Sequence, residues 1–533
     1  MIHETGRSNV RVAIATTICT VALLAEPRAQ CDQAELKAGD GKSGQEFGWA
    51  TAIDGDRALV GVFGDGTDGV SGTVYVWQQT AAGWLLDAKL LPPAGASFSG
   101  FGQEVDLDGD FALVGARYHD HAGAQSGAAF VFSRLSGTWL VDAMLVAADG
   151  APDDEFGQSV AIRGDIAVVG AAGDDDDGSF SGSAWVFRRV AGAWIAEAKL
   201  TATDGQASDA FGNAVDVDAG VIVIGALGAD GVAPNAGRAH VFETGATGWT
   251  ETAQLLAADG ASFDGLGSDV AIHGDTIVAG AIGDGGSGSA YVFRRSGGAW
   301  SQQASLTPGD SAAGQNFGHS VAVSADGALI GAFGDGQFGI QSGAAYWFES
   351  DGSQWTEALK ITDASPESAE YFGFSVALSG ARLLVGCPDD HEPSFAFGSA
   401  SFLALDSASW WNFGSGWPGT SGVPAFTLTG APVLGATVTF EVTNSSGAGA
   451  AGLLFFGFEA VSVATGLGGS LLVAPAFEFL VTVPASGLLV PVTIPTLPTF
   501  CGLTAFGQAL QADPGASKGV SFTPGLGLTF GGG

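Results

Sequence analysis

FGQSVAIRGDIAVVGAAGDDDDGSFSGSAWVFRRVAGAWIAEAKLTATDG, residues 156–205, decides the fold, because the same unit returns along most of the 533-residue chain. Its Gly and Asp clusters cut it into four short runs rich in Val, Ile, Ala, Phe and Trp: Gln158 to Ile162, Ile166 to Ala171, Ser183 to Arg188, and Trp194 to Thr201. Each run has strand length, β-favouring side chains and turn residues at its ends. None carries a sustained helical period with caps. The unit predicts four antiparallel strands.

Two markers keep the beat. One recurs as Phe47-Gly48, Phe101-Gly102, Phe156-Gly157, Phe211-Gly212, Leu266-Gly267, Phe317-Gly318 and Phe372-Gly373. The other is Trp84, Trp139, Trp194, Trp249, Trp300, Trp355 and Trp410, in steps of 55 residues except for one of 51. The short step sits in one loop, IGDGGSG after Gly280-Ala281, as a surface connection on a rigid unit permits. Four strands of this length cannot bury both faces alone, so each unit needs neighbours. Seven such units predict an all-β, seven-bladed β-propeller.

The ends of the array suggest how it closes. Leu90, Leu145 and Leu200, from fourth strands, each stand eleven residues before the next Phe-Gly marker, and Leu36 in AELKAGDG stands eleven before Phe47. The seventh unit has three runs, SVALSG, RLLVGC and GSASFLAL, but WNFGSGWPG takes the place of its fourth. The leading segment is expected to fill that vacancy. An N-terminal strand closing the last blade would remove an exposed edge.

FG, a short strand pair, then Val169-Gly170-Ala171, Ile224-Gly225-Ala226 or Ile330-Gly331-Ala332 resembles the FG-GAP repeat, which builds the seven-bladed propeller of integrin α-subunits and of many secreted bacterial proteins. The resemblance covers roughly residues 32–411 and implies a propeller used for binding and adhesion. Calcium-binding repeats of that family insert a D-x-D-x-D-G loop between the two strands. Here the turn is two or three residues, and Asp106, Asp108 and Asp110 come nearest without a wrapping loop, so family-type calcium sites are not expected. Arg163-Gly164-Asp165 also spells the tripeptide read by integrins. Its counterparts are Asp54-Gly55-Asp56, Asp108-Gly109-Asp110 and His273-Gly274-Asp275, so only Gly-Asp is periodic and a tight turn is the reading.

A formal charge of −37, from 19 basic and 56 acidic residues, argues against nucleic acid and anionic membrane surfaces as partners. Second and fourth strands of an antiparallel blade leave on the same side of the ring. There lie Asp65, Asp68, Asp120, Asp174 to Asp177, Asp230, Asp284, Asp335, Asp389 and Asp390, with Asp40, Asp149, Asp204, Asp259 and Asp310. One rim is therefore expected to be strongly negative, while Arg134, Arg188, Arg189, Arg294 and Arg295 collect on the other. As turn residues these aspartates keep a repeat protein soluble. As oxygen ligands, Asp174, Asp175, Asp176 and Asp177 are the candidate Ca²⁺ site, and a cationic partner is the other reading.

Arg7 and Arg11, the apolar run Val12 to Ala25 and a small-residue cut after Ala29 predict a Sec-type signal peptide over 1–29, hence a secreted or cell-surface protein. No transmembrane segment is expected in the remainder. Cys19 leaves with the signal, and Cys31, Cys387 and Cys501 allow at most one disulfide, whose pairing stays open. The plan is then a propeller over 32–411, a linker over 412–424 (NFGSGWPGTSGVP) and a β-sandwich-like domain over 425–533, where ATVTFEVTN, GLLFFGF, FEFLVTV and LLVPVTI read as strands. Low charge in that domain admits association with the cell envelope.

No local signature of catalysis is present. His119-Asp120-His121 resembles half a metal site, but in an exposed loop it reads as solvated. Two functions follow: an exported binding or adhesion scaffold for an extracellular protein or glycan, and, as alternative, a secreted propeller enzyme, a hydrolase or lyase acting on an extracellular polymer at the central channel. An enzyme would gather unlike residues at one end of the channel, whereas a scaffold would repeat near-equivalent loops around it.

Overall fold

The computed structural model describes residues 32–530 apart from 42–43, 64–71, 81–82, 94–98, 364, 393–394, 397, 406–408, 431, 433–435, 468 and 495–503. The expected signal peptide at 1–29, together with Cys31, Cys501, Asp65 and Asp68, lies outside the described residues. The chain divides into two compact units, Asp32–Ala404 and the residues from Leu405 onward.

In the first unit the third repeat forms Ser159–Arg163, Ile166–Ala171, Ser183–Val190 and Ala193–Leu200, hydrogen-bonded antiparallel in that order. These bounds lie within two residues of the four runs expected. Blades one to six share the order. First strands of successive blades touch one another, and that of the seventh, Val376–Ser379, touches that of the first, Glu46–Asp54. The ring is closed around a central channel. In the seventh blade the outermost place belongs to the leading strand Asp32–Leu36, antiparallel to Ser399–Ala404 with Glu35 opposite Ser401 and Leu36 opposite Ala400. The N-terminal clasp is thus in place.

Packing explains the two-part motif. Phe47, Phe101, Phe156, Phe211, Leu266, Phe317 and Phe372 have no exposed surface. Phe156, for instance, bridges Gly127 of the preceding blade, and Phe47 bridges Gly398, carrying the same contact across the seventh-to-first junction. The glycine after each of these residues presses its carbonyl against a glycine near the end of the second strand of the previous blade. A Cβ on Gly170 would overlap Gly212 O, one on Gly331 would overlap Gly373 O, and one on Gly386 would overlap Gly48 O. Seven such glycine-on-glycine approaches hold the inner blade edges together.

Apolar clusters straddle the junctions in the same way: Leu36, Phe47, Val60, Tyr75, Leu384 and Phe402 join blade seven to blade one. Three of the periodic tryptophans also tie outer strands by hydrogen bonds. Trp139 Nε1 donates to Asp87 Oδ2 at 3.1 Å, Trp194 Nε1 to Asp142 Oδ2 at 3.2 Å and Trp355 Nε1 to Gln303 Oε1 at 3.1 Å, each in the preceding blade.

Trp410 is different, and it moves a boundary. The strand Ser409–Phe413 pairs with Gly525–Thr529, so Trp410 and Trp411 belong to the second unit, and the propeller ends at Ala404 instead of 411. With the outer place of blade seven already filled, this segment pairs elsewhere. The stretch expected as a linker over 412–424 therefore begins in a strand and continues into bridges Trp417–Phe522 and Gly419–Gly422. The second unit is sandwich-like. Phe426, Val438 and Phe440 of a three-stranded sheet share one core with Leu454, Val481, Ala509 and Leu528 of a six-stranded sheet.

Candidate functional site

The acidic rim carries its own counter-charges. Asp174 is buried, and its Oδ2 accepts from Ser183 Oγ at 2.7 Å and lies 2.8 Å from Lys199 Nζ. Lys199 reaches Asp149 at 3.0 Å and Asp176 at 2.6 Å as well. Burial alone would lift the Asp174 carboxyl, but the bonds from Lys199 and Ser183 outweigh it and hold it below its ordinary range. The Lys199 ammonium thus pairs with Asp174 and Asp176, while Asp175 and Asp177 face solvent. Lys360 makes the same brace with Asp310 and Asp335 at 2.5 and 2.9 Å. Among the described residues no group of three or more His, Cys, Asp or Glu is placed to hold a metal ion.

The other sequence candidates part company. Asp106 accepts from Ile162 N at 2.6 Å in the channel, Asp108 accepts from Gly164 N at 2.8 Å, and Asp110 pairs with Arg57 at 2.7 Å. Gly164-Asp165 is the two-residue turn of a hairpin, with φ +59° at Gly164, and Arg163 is engaged by Asp108 at 3.2 Å. Asp120 closes its own loop by accepting from Gln125 N at 2.8 Å. On the opposite rim Arg134, Arg188 and Arg295 are paired with Asp87, Glu197 and Asp275.

Between the braced carboxylates the rim exposes large apolar side chains: Phe180, Val232, Phe263, Phe338 and Ile340. Phe180 and Phe263 have left-handed backbones, φ +55° and +70°. Sibling repeats place Gln125, Asn235 and Gln341 at the first position and Asp153, Ser208 and Gly314 at the second, all with positive φ.

The channel is a cavity of about 650 Å³ lined by the first strands. Three of its carboxylates serve as ties between blades. Asp106, Asp216 and Asp269 accept from Ile162 N, Ile272 N and Val321 N of the next blade at 2.6 to 2.7 Å, and each also caps its neighbour along the strand. Inner strands are sheet edges whose N–H groups need acceptors, and these side chains supply them. Desolvation by the channel walls lifts Asp106 and Asp269 to about 6 and Asp216 to about 7.

The rim-side mouth of the channel is less uniform. The residue after each marker glycine faces it: Trp49, His319 and Phe374 over blades six, seven and one, against Gln103, Gln158, Asn213 and Ser268 over the rest. Trp49 and Phe374 lie 4.6 Å apart between ring centroids, and His319 lies 4.7 Å from Phe374. Sequence reading passed over these positions, although they were marked by a column that varies inside an otherwise regular repeat.

No curated protein matches the chain. Solved structures similar to it include Sqt1 from Chaetomium thermophilum, at 15% identity over 78% of this chain and 97% of that one with a TM-score of 0.40. Another is the acylaminoacyl peptidase of Pyrococcus horikoshii, at 9% identity over 75% of this chain and 58% of that one with a TM-score of 0.39. The FG-GAP repeat family matches residues 31–77, 84–132, 139–187, 194–242, 249–293, 300–348 and 355–402, one copy per blade and well over half of the sequence. The chain belongs to the FG-GAP repeat family.

Proposed function

We propose that this chain is an exported adhesion scaffold that docks an extracellular protein on its acidic rim. One observation carries the reading. Phe180 and Phe263 are 54% and 72% exposed in a backbone region that bulky residues avoid, so they cost stability without filling a core. Apolar side chains set among Asp175, Asp177, Asp204 and Asp259 suit a partner surface that mixes basic and apolar groups. Export rests on Arg7, Arg11 and the apolar run Val12 to Ala25. Among the described residues no helix is long and apolar enough to cross a membrane. Exposed Leu480 and Leu489 in the second unit support association with the cell envelope.

Selection from a random peptide library against the purified protein tests the docking surface. The expected peptides are rich in Lys or Arg and aromatics, bind less tightly as salt rises, and lose most of their affinity for the double variant Phe180→Gln, Phe263→Ser. Equal binding by that variant, or selected peptides without basic residues, would contradict the proposal.

A further inference from the structure

The repeats are near copies, yet the channel mouth has two unlike walls. Over blades six, seven and one it is aromatic. Trp49 packs on Phe374 and, at 4.8 Å, on Phe63, while His319 is wedged between Phe374 and Phe333, 4.6 Å from the latter. The adjoining wall, over blades two and three, carries amides and a carboxyl group, Gln103, Gln158 and Glu104. We propose that this mouth is a binding site for a neutral sugar, a pyranose ring laid on Trp49 and Phe374 with its hydroxyls turned toward Gln103, Gln158 and Glu104.

Each wall narrows the ligand. An aromatic face is electron-rich and attracts the weakly positive C–H face of a sugar ring, which is apolar on that side only. The adjoining polar wall must meet groups that both donate and accept, because an amide offers both and a carboxylate only accepts. Hydroxyls do so.

Several polar atoms here are still unsatisfied. Gln103 Oε1 and Thr51 Oγ1 are buried without a hydrogen-bond partner, and both residues line the cavity. Asn213, by contrast, is consumed by Gly267 O, Ser268 O and Leu227 N at 3.1, 2.9 and 3.2 Å and works as a tie. His319 Nδ1 sits 3.0 Å from Phe374 O, and a carbonyl can only accept, so Nδ1 carries the proton and Nε2 keeps its lone pair. Burial keeps the ring below its ordinary range. It offers a further acceptor beside the aromatic wall.

Charge excludes the competing ligands. Asp106, Asp216 and Asp269 repel an anion such as a phosphate. An organic cation would favour the same carboxylates, but Arg117 and Arg163 stand among them, and burial holds the Glu104 carboxyl well above its usual range, with Asp269 and Asp106 adding to the rise. The cavity, at about 650 Å³, falls inside the span of roughly 300–1,000 Å³ common to small-molecule sites.

Titration of the mature protein with neutral methyl glycosides and linear oligosaccharides of glucose, galactose, mannose and N-acetylglucosamine, followed by calorimetry and tryptophan fluorescence, tests the site. At least one sugar should bind with a dissociation constant at or below about 1 mM. Trp49→Ala should weaken it about tenfold, the worth of one ring-stacking contact, and Trp49→Phe by much less. Gln103→Ala, which leaves the aromatic wall intact, should also weaken it and keeps the test valid should Trp49→Ala fold poorly. The rim variant Phe180→Gln, Phe263→Ser should bind the sugar as the parent does, so this site and the docking rim succeed or fail separately. Absence of saturable binding across the panel, affinity untouched by both Trp49→Ala and Gln103→Ala, or tetramethylammonium binding more tightly than every sugar overturns the proposal.

Discussion

Gly170 lacks a Cβ because Gly212 of the next blade fills that space, and Gly192 lacks one for a separate reason. Gly192 turns a hairpin at φ +87° in open surroundings, whereas Gly170 has ordinary φ and no room. Steric and conformational demands on glycine therefore occur in the same blade and can be separated. Gly192→Ala should cost about 1 kcal/mol through backbone strain alone. Gly170→Ala drives a methyl group into a backbone carbonyl, which cannot rotate away, and should cost more than about 3 kcal/mol. Urea unfolding of both variants checks the ratio; similar losses would mean that the blade junctions are looser than described. The recurrence of these glycines could be read in the sequence. Their pairing across blades could not, because Gly170 and Gly212 meet through closure and not through spacing.

At the scale of one strand, the clasp Asp32–Leu36 matters most. Leu36 is 2% exposed and sits in the junction of the last and first blades with Phe47, Tyr75 and Phe402. Leu36→Ala should cost about 2–5 kcal/mol, the range for a large-to-small change in a packed core, and should do so although the residue lies at the edge of the described chain. A loss under about 0.5 kcal/mol, typical of a surface position, would show that the strand adds little. The eleven-residue offset from Leu36 to Phe47 made this strand legible. The fate of Trp410 was not legible, since its period continues from the propeller while the residue itself pairs with Leu528 inside the second unit. The acidic loops were found by composition, but Lys199 was not connected with Asp174, because the brace spans three strands and the marker AKL reads only as an outer strand.

At the scale of the molecule, two sets of carboxylates pull stability in opposite directions with pH. Burial lifts Asp106 and Asp269 to about 6, and Asp216 and Glu370 to about 7. Such acids bind protons in the folded state that the unfolded chain has already released, so they weaken the fold as pH rises from the ordinary carboxyl range through those values. Asp174, Asp204 and Asp335, although burial raises them, are held low by Lys199, Arg238 and Lys360; they stabilise above the ordinary range and lose that contribution as pH falls below it. Self-repulsion at a net charge of −37 reinforces the alkaline loss. The propeller should melt higher near about pH 5 than near about pH 8, and Asp216→Asn should reduce the difference. A midpoint that climbs steadily between those values would refute this assignment of the channel carboxylates. The channel mouth itself escaped a motif search because its members are one residue from each of seven repeats, brought together only by the ring. Closure by the leading strand is therefore the claim on which the rim, the channel and both proposed sites depend. Pairing Glu35→Cys with Ser401→Cys tests it directly, since the two residues stand opposite each other across the clasp. Oxidation and peptide mapping should recover the disulfide between these positions, with a raised unfolding midpoint; a chain in which the two cysteines never join would contradict the closed ring.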